Sequence, residues 1–352
     1  MEKRLAFALS LVLLTACNGG GGLTPAALPP APSNRLPGTE IPASRVPPRY
    51  RELLQVSQAY GKLIVRPGEI WGASSVEPWS GYWYPRRQRT LFDSGAPGTL
   101  APLQKYDLFA KTALGVETHA ANYEEHSPTL YDPWAPAADG LCHAWAAASL
   151  LEREPIGPVT LSGITFEVQD LKALLTKVYE QKKFVQYGQR FEADATSVYG
   201  DIYADQFHQF MIEQLVNRSK PFVMDRDPGI AVWNTPVWRV SGHIEVDPND
   251  RTLLHVSLMA ESASPFVEDD LNFVGSKPQL NEYTYDLVGY PLVDGSYEIA
   301  FGEWTGASVN YHPDFVQELP DQFQQGGVAH SSENPEIKQE IVDQILSKAP
   351  RR

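Results

Sequence analysis

From Trp233 onward the chain reads as strands separated by turns: Val237 to Val246, Leu253 to Met259, Asn281 to Leu287 and Tyr297 to Trp304. Asp247-Pro248-Asn249-Asp250 and Asp294-Gly295-Ser296 supply two of the turns, because Asp and Asn side chains bond their own backbone and Gly and Pro fit turn dihedrals. Strands this close in sequence pair antiparallel. Ahead of them the pattern predicts helices over Tyr50 to Tyr60, Leu103 to Gly115 and Gln169 to Lys182, and a small hairpin over Pro158 to Val168. A last helix is expected over Glu336 to Lys348. Helices leading and a sheet following make the class α+β.

The first residues read as an export signal. Glu2, Lys3 and Arg4 precede an apolar stretch from Leu5 to Leu14, which is too short for a membrane-spanning helix of about 20 residues. It ends in Leu14-Thr15-Ala16-Cys17, which resembles a bacterial lipobox and implies a leader over 1–16 with Cys17 lipidated. Asn18 follows where an Asp would retain the product at the inner membrane, so the pattern implies the outer membrane. Residues 17–48 are rich in Gly, Pro and Ala and read as a tether. The expected division is then a lead segment over 49–130 with an aromatic loop at Trp71 to Pro85, a catalytic core over 131–330, and a terminal helix and tail over 331–352. Residues 48 to about 120 are long and aromatic enough, ahead of the core, to suggest an inhibitory layer across the groove.

The net charge of -14 and a pI near 5.0 argue against a phosphate-binding surface, so no nucleic-acid partner is expected. No metal or cofactor is expected either. Glu117, His119, Glu124, Glu125 and His126 lack the i, i+4 spacing of a helical zinc pair. Neither Asp247 to Asp250 nor Glu268-Asp269-Asp270 has the alternating ligands of a calcium loop.

With Cys17 taken as an anchor, Cys142 is the remaining thiol. It stands in Asp139-Gly140-Leu141-Cys142-His143-Ala144-Trp145, just before a run of helix formers. A cysteine in the first turn of a helix feels the positive end of the dipole and unpaired amides, which favour the thiolate and can later hold an oxyanion. Asp139 is the expected N-cap, which makes Cys142 the third helical residue. A buried, inert cysteine fits the same residues.

A thiolate nucleophile needs a base, and the base an orienting group. Among eight histidines, His143 points about 100° away from Cys142 on a helix, and His243 is a rival. His208 sits in Gln206-Phe207-His208-Gln209-Phe210, and Phe222-Val223-Met224-Asp225 reads as a buried strand ending in a carboxylate. His208 as base and Asp225 as orienter are therefore the candidates. Periodicity leaves Phe207 to Ile212 open between a helix and a buried strand.

At this point several blocks together resemble the transglutaminase elicitor family: Gly140-Leu141-Cys142-His143-Ala144-Trp145-Ala146, Glu152-Arg153-Glu154-Pro155, Gly163-Ile164-Thr165-Phe166-Glu167, Phe207-His208, Phe222-Val223-Met224-Asp225 and Val232-Trp233-Asn234-Thr235-Pro236-Val237. Trp79 to Pro85, Gly302-Glu303-Trp304 and His312-Pro313-Asp314-Phe315 extend the likeness. Leu141 departs from the pattern, which has Trp before the nucleophile. The resemblance implies a papain-like, transglutaminase-like cysteine-enzyme fold with a Cys142, His208, Asp225 triad. It also implies acyl transfer from a glutamine side chain to a lysine or small amine, and so protein or peptide substrates. Trp134, Trp83, Trp233 and Asn234 are candidates for oxyanion donors or substrate walls. The same residues leave open a papain-like protease, a glutamine deamidase and a silent surface-binding lipoprotein.

Overall fold

A computed structural model describes residues 34–50, 52–190, 200–320 and 331–352. The leader, Cys17, most of the tether and His330 lie outside the described residues. In chain order the elements are α1 (Val56–Tyr60), β1 (Ile64–Val65), β2 (Gly68–Ala73), α2 (Pro102–Leu114), α3 (Ala120–His126), α4 (Cys142–Leu151), β3 (Val159–Leu161), β4 (Ile164–Phe166) and α5 (Val168–Val178). They continue with β5 (Val185–Gly188), α6 (Ala204–Met211), β6 (Phe222–Asp225), β7 (Asn234–Val246), β8 (Leu253–Ala263), β9 (Pro278–Pro291), β10 (Tyr297–Trp304), β11 (Phe315–Glu318) and α7 (Gln339–Leu346). A π-helical turn, Ile212–Asn217, extends α6. No helix among the described residues is long and apolar enough to cross a membrane.

The predicted turns form for the predicted reason. Asp247 Oδ1 accepts from the Asn249 and Asp250 amides at 2.7 and 2.8 Å, and Asp294 Oδ1 accepts from the Ser296 amide at 3.0 Å. They turn β7 into β8 and β9 into β10, within an antiparallel sheet ordered β1-β10-β9-β8-β7-β6-β11-β5. β2 pairs with the far half of β7, beside the place where β6 pairs with its near half. Two strands of the expected lead segment are thus built into the main sheet, and residues 35–352 form one compact unit. Other lead-segment residues, among them Tyr84, Pro85, Gln88 and Phe92, line the cavity that holds Cys142.

The sheet has two covered faces. On one, Phe222, Met224, Val240, Tyr283 and Tyr285 form a core with Phe207, Phe210 and Met211 of α6. On the other, Val223 and Ala263 join a core built on α4 and α5. Nine of the ten α4 residues, all but His143, are buried, so this helix is apolar nearly all round and sits inside the protein. Its alanines allow close approach: Trp79 donates its indole N–H to the Glu152 carbonyl at 3.1 Å, and a Cβ on Gly81 would fall 2.7 Å from the Trp145 ring.

Candidate active site

The loop before α4 is held by the aromatic segment that precedes it by some fifty positions. The Leu141 amide donates to the Trp83 carbonyl at 2.6 Å, Gly140 and Pro85 form an isolated bridge, and a Cβ on Gly140 would lie 2.7 Å from that same carbonyl. Asp139 is drawn away from the helix end. Its carboxylate accepts from the Arg86 guanidinium at 2.9 Å, and its carbonyl accepts from the Arg86 amide at 2.9 Å. Asp139 is therefore not the N-cap. Leu141 takes that place without a side-chain bond, and Cys142 is the first helical residue, not the third. The amides of the first turn stay available to the sulfur.

Cys142 is buried and lines a cavity of about 720 Å³ together with Asn234, Val232, Gln186, Arg190 and Glu180. Its Sγ lies 3.5 Å from the Val232 carbonyl, and the Asn234 carboxamide donates to it from 3.6 Å. Burial pushes the thiol pKa up, and the Asp225 charge acts in the same direction. The Asn234 side chain and the backbone amides of Asn234 and His143 pull it down, without reversing the rise. The sulfur is thus surrounded by donors that would favour an anion, in a site dry enough to resist forming one.

Asp225 and Asn234 are direct partners in the β6 and β7 register, so their side chains leave the same face of the sheet. Asp225 Oδ1 accepts from the Trp233 amide at 2.8 Å. Burial, with the charges of Asp314 and Asp227 adding to it, pushes the Asp225 carboxyl up to about 8, against the opposing Trp233 amide and Arg190. Such a carboxyl exchanges its proton near neutral pH.

His208 does not join this group. It lies on α6, across the sheet from α4, where Nδ1 is 2.7 Å from the Tyr285 hydroxyl. Burial holds Tyr285 protonated and pushes the His208 ring down to about 4, so a neutral imidazole and a neutral hydroxyl share this bond. The expected Cys142, His208, Asp225 triad is corrected by this geometry: two of its members share a face, and the third is a satisfied core histidine. His208→Gln is expected to leave the alkylation rate of Cys142 within about threefold. It should cost about 1–3 kcal/mol of stability through the stranded Tyr285 hydroxyl, as read by parallel thiol-labelling and denaturant titrations.

The remaining candidates separate in the same way. His143 lines the cavity, but its Nε2 is 3.2 Å from the Glu180 carbonyl. His243 is on the exposed surface beside Glu69. Trp83 spends its indole N–H on the Ala137 carbonyl at 3.4 Å and packs with Trp233 and Phe266, and none of this trio is among the residues lining the cavity. Trp134 is 90% exposed and takes no part. Asn234 alone of those four touches the sulfur. Sequence reasoning missed the far end of the cavity, where Glu124 and Glu180 hold the buried Lys177 ammonium and Asn334 donates to Glu124 at 2.9 Å. These contacts join α3, α5 and the segment before α7 over separations that no local pattern signals.

The fold is that of a transglutaminase. It resembles a solved structure of the GP42 transglutaminase from Phytophthora sojae, at 20% identity and a TM-score of 0.59, over 85% of this chain and 97% of that one. A family model described as transglutaminase elicitor matches residues 133–280, a stretch that includes Cys142, Asp225 and Asn234. No curated protein matches the chain.

Proposed function

We propose that the protein is a transglutaminase-type cysteine acyltransferase, which takes a glutamine γ-carboxamide as a thioester on Cys142 and passes it to lysine or another amine. The observation that carries this reading is the placement of Sγ in a cavity wall at the first turn of α4, with the Asn234 carboxamide and two backbone amides directed at it. Those donors are suited to the thiolate and then to the oxyanion of the tetrahedral intermediate. Asp225 takes the role expected of His208: it accepts the thiol proton, directly or through one water, and returns it to the leaving nitrogen. If the leader acts as its sequence suggests, the substrates are exported proteins near an outer-membrane anchor.

Mixing the full chain with a glutamine-containing peptide and a labelled primary amine tests the proposal. Amine incorporation without new peptide termini is the expected result. Cleavage of the peptide would favour a protease, and glutamate formation without incorporation a deamidase. The raised thiol pKa and the lack of an imidazole bonded to Sγ among the described residues favour one second reading, a groove that binds without turnover. Slow labelling of Cys142 by a thiol alkylator at neutral pH, with no amine incorporated, would establish it.

A further inference from the structure

Cys142 and His143 open α4 and both line the cavity, so the roughly 100° between their directions gives the sulfur one wall and the imidazole an adjoining one. His143 Nε2 is bonded to the Glu180 main-chain oxygen, which can only accept, so Nε2 carries the ring hydrogen. Nδ1 of the neutral ring then holds a lone pair. It has no partner among the described residues, and it is not one of the buried unmet atoms, so it reaches open space. The carboxylates deeper in the cavity are already engaged. Glu180 holds Lys177 with one oxygen and accepts with the other from the Ser332 hydroxyl at 2.6 Å and the Glu333 amide at 2.9 Å. Glu124 holds Lys177 at 2.7 Å and the Asn334 carboxamide at 2.9 Å, and Asp139 is paired with Arg86. Glu333 also lines the cavity, at an exposed position, and its carboxylate has no partner among the described residues.

We infer that His143 Nδ1 is the base of the second half-reaction, taking a proton from a cationic alkylamine of the lysine type that Glu333 draws to the cavity. This rests on the acyl-transfer reading above and adds a catalytic group to it. An alkylamine arrives at neutral pH as an ammonium, which has no lone pair and cannot attack a thioester. The angle that makes His143 a poor base for the thiol suits it to a nucleophile that approaches the acylated sulfur across the cavity. The ammonium gives one proton to Nδ1, and the freed lone pair forms the C–N bond at the thioester carbonyl. The C–S bond breaks with its electron pair on sulfur. The proton shed by the new amide nitrogen restores the thiol, and the proton on His143 passes to water.

The test starts from an acyl-enzyme made on the full chain with p-nitrophenyl acetate, whose leaving group needs no proton, and located on Cys142 by mass. Its loss is timed with Nα-acetyl-lysine amide, a cation at neutral pH, and with hydroxylamine, which is uncharged there. In His143→Gln the carboxamide N–H₂ can keep the bond to the Glu180 oxygen, but the base is gone. The lysine-to-hydroxylamine rate ratio should then fall by ~10²-fold to ~10⁴-fold, the contribution of one general base. In Glu333→Gln, a change at an exposed position, the same ratio should fall by roughly twofold to fivefold, the scale of one exposed charge pair. An unchanged ratio in His143→Gln would overturn the inference and leave acyl transfer standing. Should that variant not fold, an unchanged ratio in Glu333→Gln would do the same. Failure of both the ester and a glutamine peptide to acylate Cys142 would remove the underlying reading and this inference with it.

Discussion

Cys142→Ala is expected to reduce amine incorporation by at least ~10⁴-fold, the scale on which removal of a covalent nucleophile acts, because no thioester can then form. The fold should tolerate the change. Sγ is small, and its contacts are a long one to the Val232 carbonyl and weak donation from Asn234. The expected stability loss is about 1 kcal/mol, near the low end for deleting a buried group. Cys142→Ser separates shape from chemistry: it fills the same space, yet a hydroxyl with no imidazole beside it is a poor nucleophile at neutral pH. Both variants should melt close to the parent and both should lack turnover. Retained incorporation in Cys142→Ala would place the chemistry elsewhere.

What the sequence revealed and what it hid follow from the range of the contacts involved. β10 occupies the predicted Tyr297 to Trp304, and β7 to β9 extend the predicted strands, because successive hairpins set pattern and turn within one short stretch. β1 is two residues long and pairs with β10 across more than two hundred positions, so no local pattern announces it. The helix after Cys142 was legible from its alanines, but its first residue was not. Asp139 looks like an N-cap until Arg86, far back in the chain, claims its carboxylate. His208 shows the same limit at the site itself. Its apolar neighbours indicate burial correctly, and nothing in them says which face of the sheet receives the ring. Asp225 stands out in the sequence at the end of a buried strand, and Asn234 within Val232-Trp233-Asn234-Thr235-Pro236-Val237. Their pairing across β6 and β7, which puts them side by side, is visible only in the fold.

Asp225→Asn should produce opposite changes in rate and stability. Acylation is expected to fall by ~10²-fold to ~10⁴-fold, the usual contribution of a general base. The parent's rate should rise with pH toward about 8 as this carboxyl ionises, and the variant should lose that limb. For stability the sign is set by a folded value raised above the ordinary 3.8. Such a carboxyl gives its full share below the unfolded value, and that share is lost progressively as pH climbs until it passes about 8. The loss amounts to something on the order of 5 kcal/mol, at 1.36 kcal/mol per pKa unit. Above pH 8 the variant should therefore be the more stable protein. Its carboxamide oxygen can still accept from the Trp233 amide, and the variant buries no charge near Asp314 and Asp227. Denaturant midpoints at pH 5 and pH 9, taken with the acylation profile, decide the matter. A variant less stable than its parent at pH 9, or one that keeps the parent's rate and pH profile, would show that Asp225 is a structural acid and not the proton acceptor.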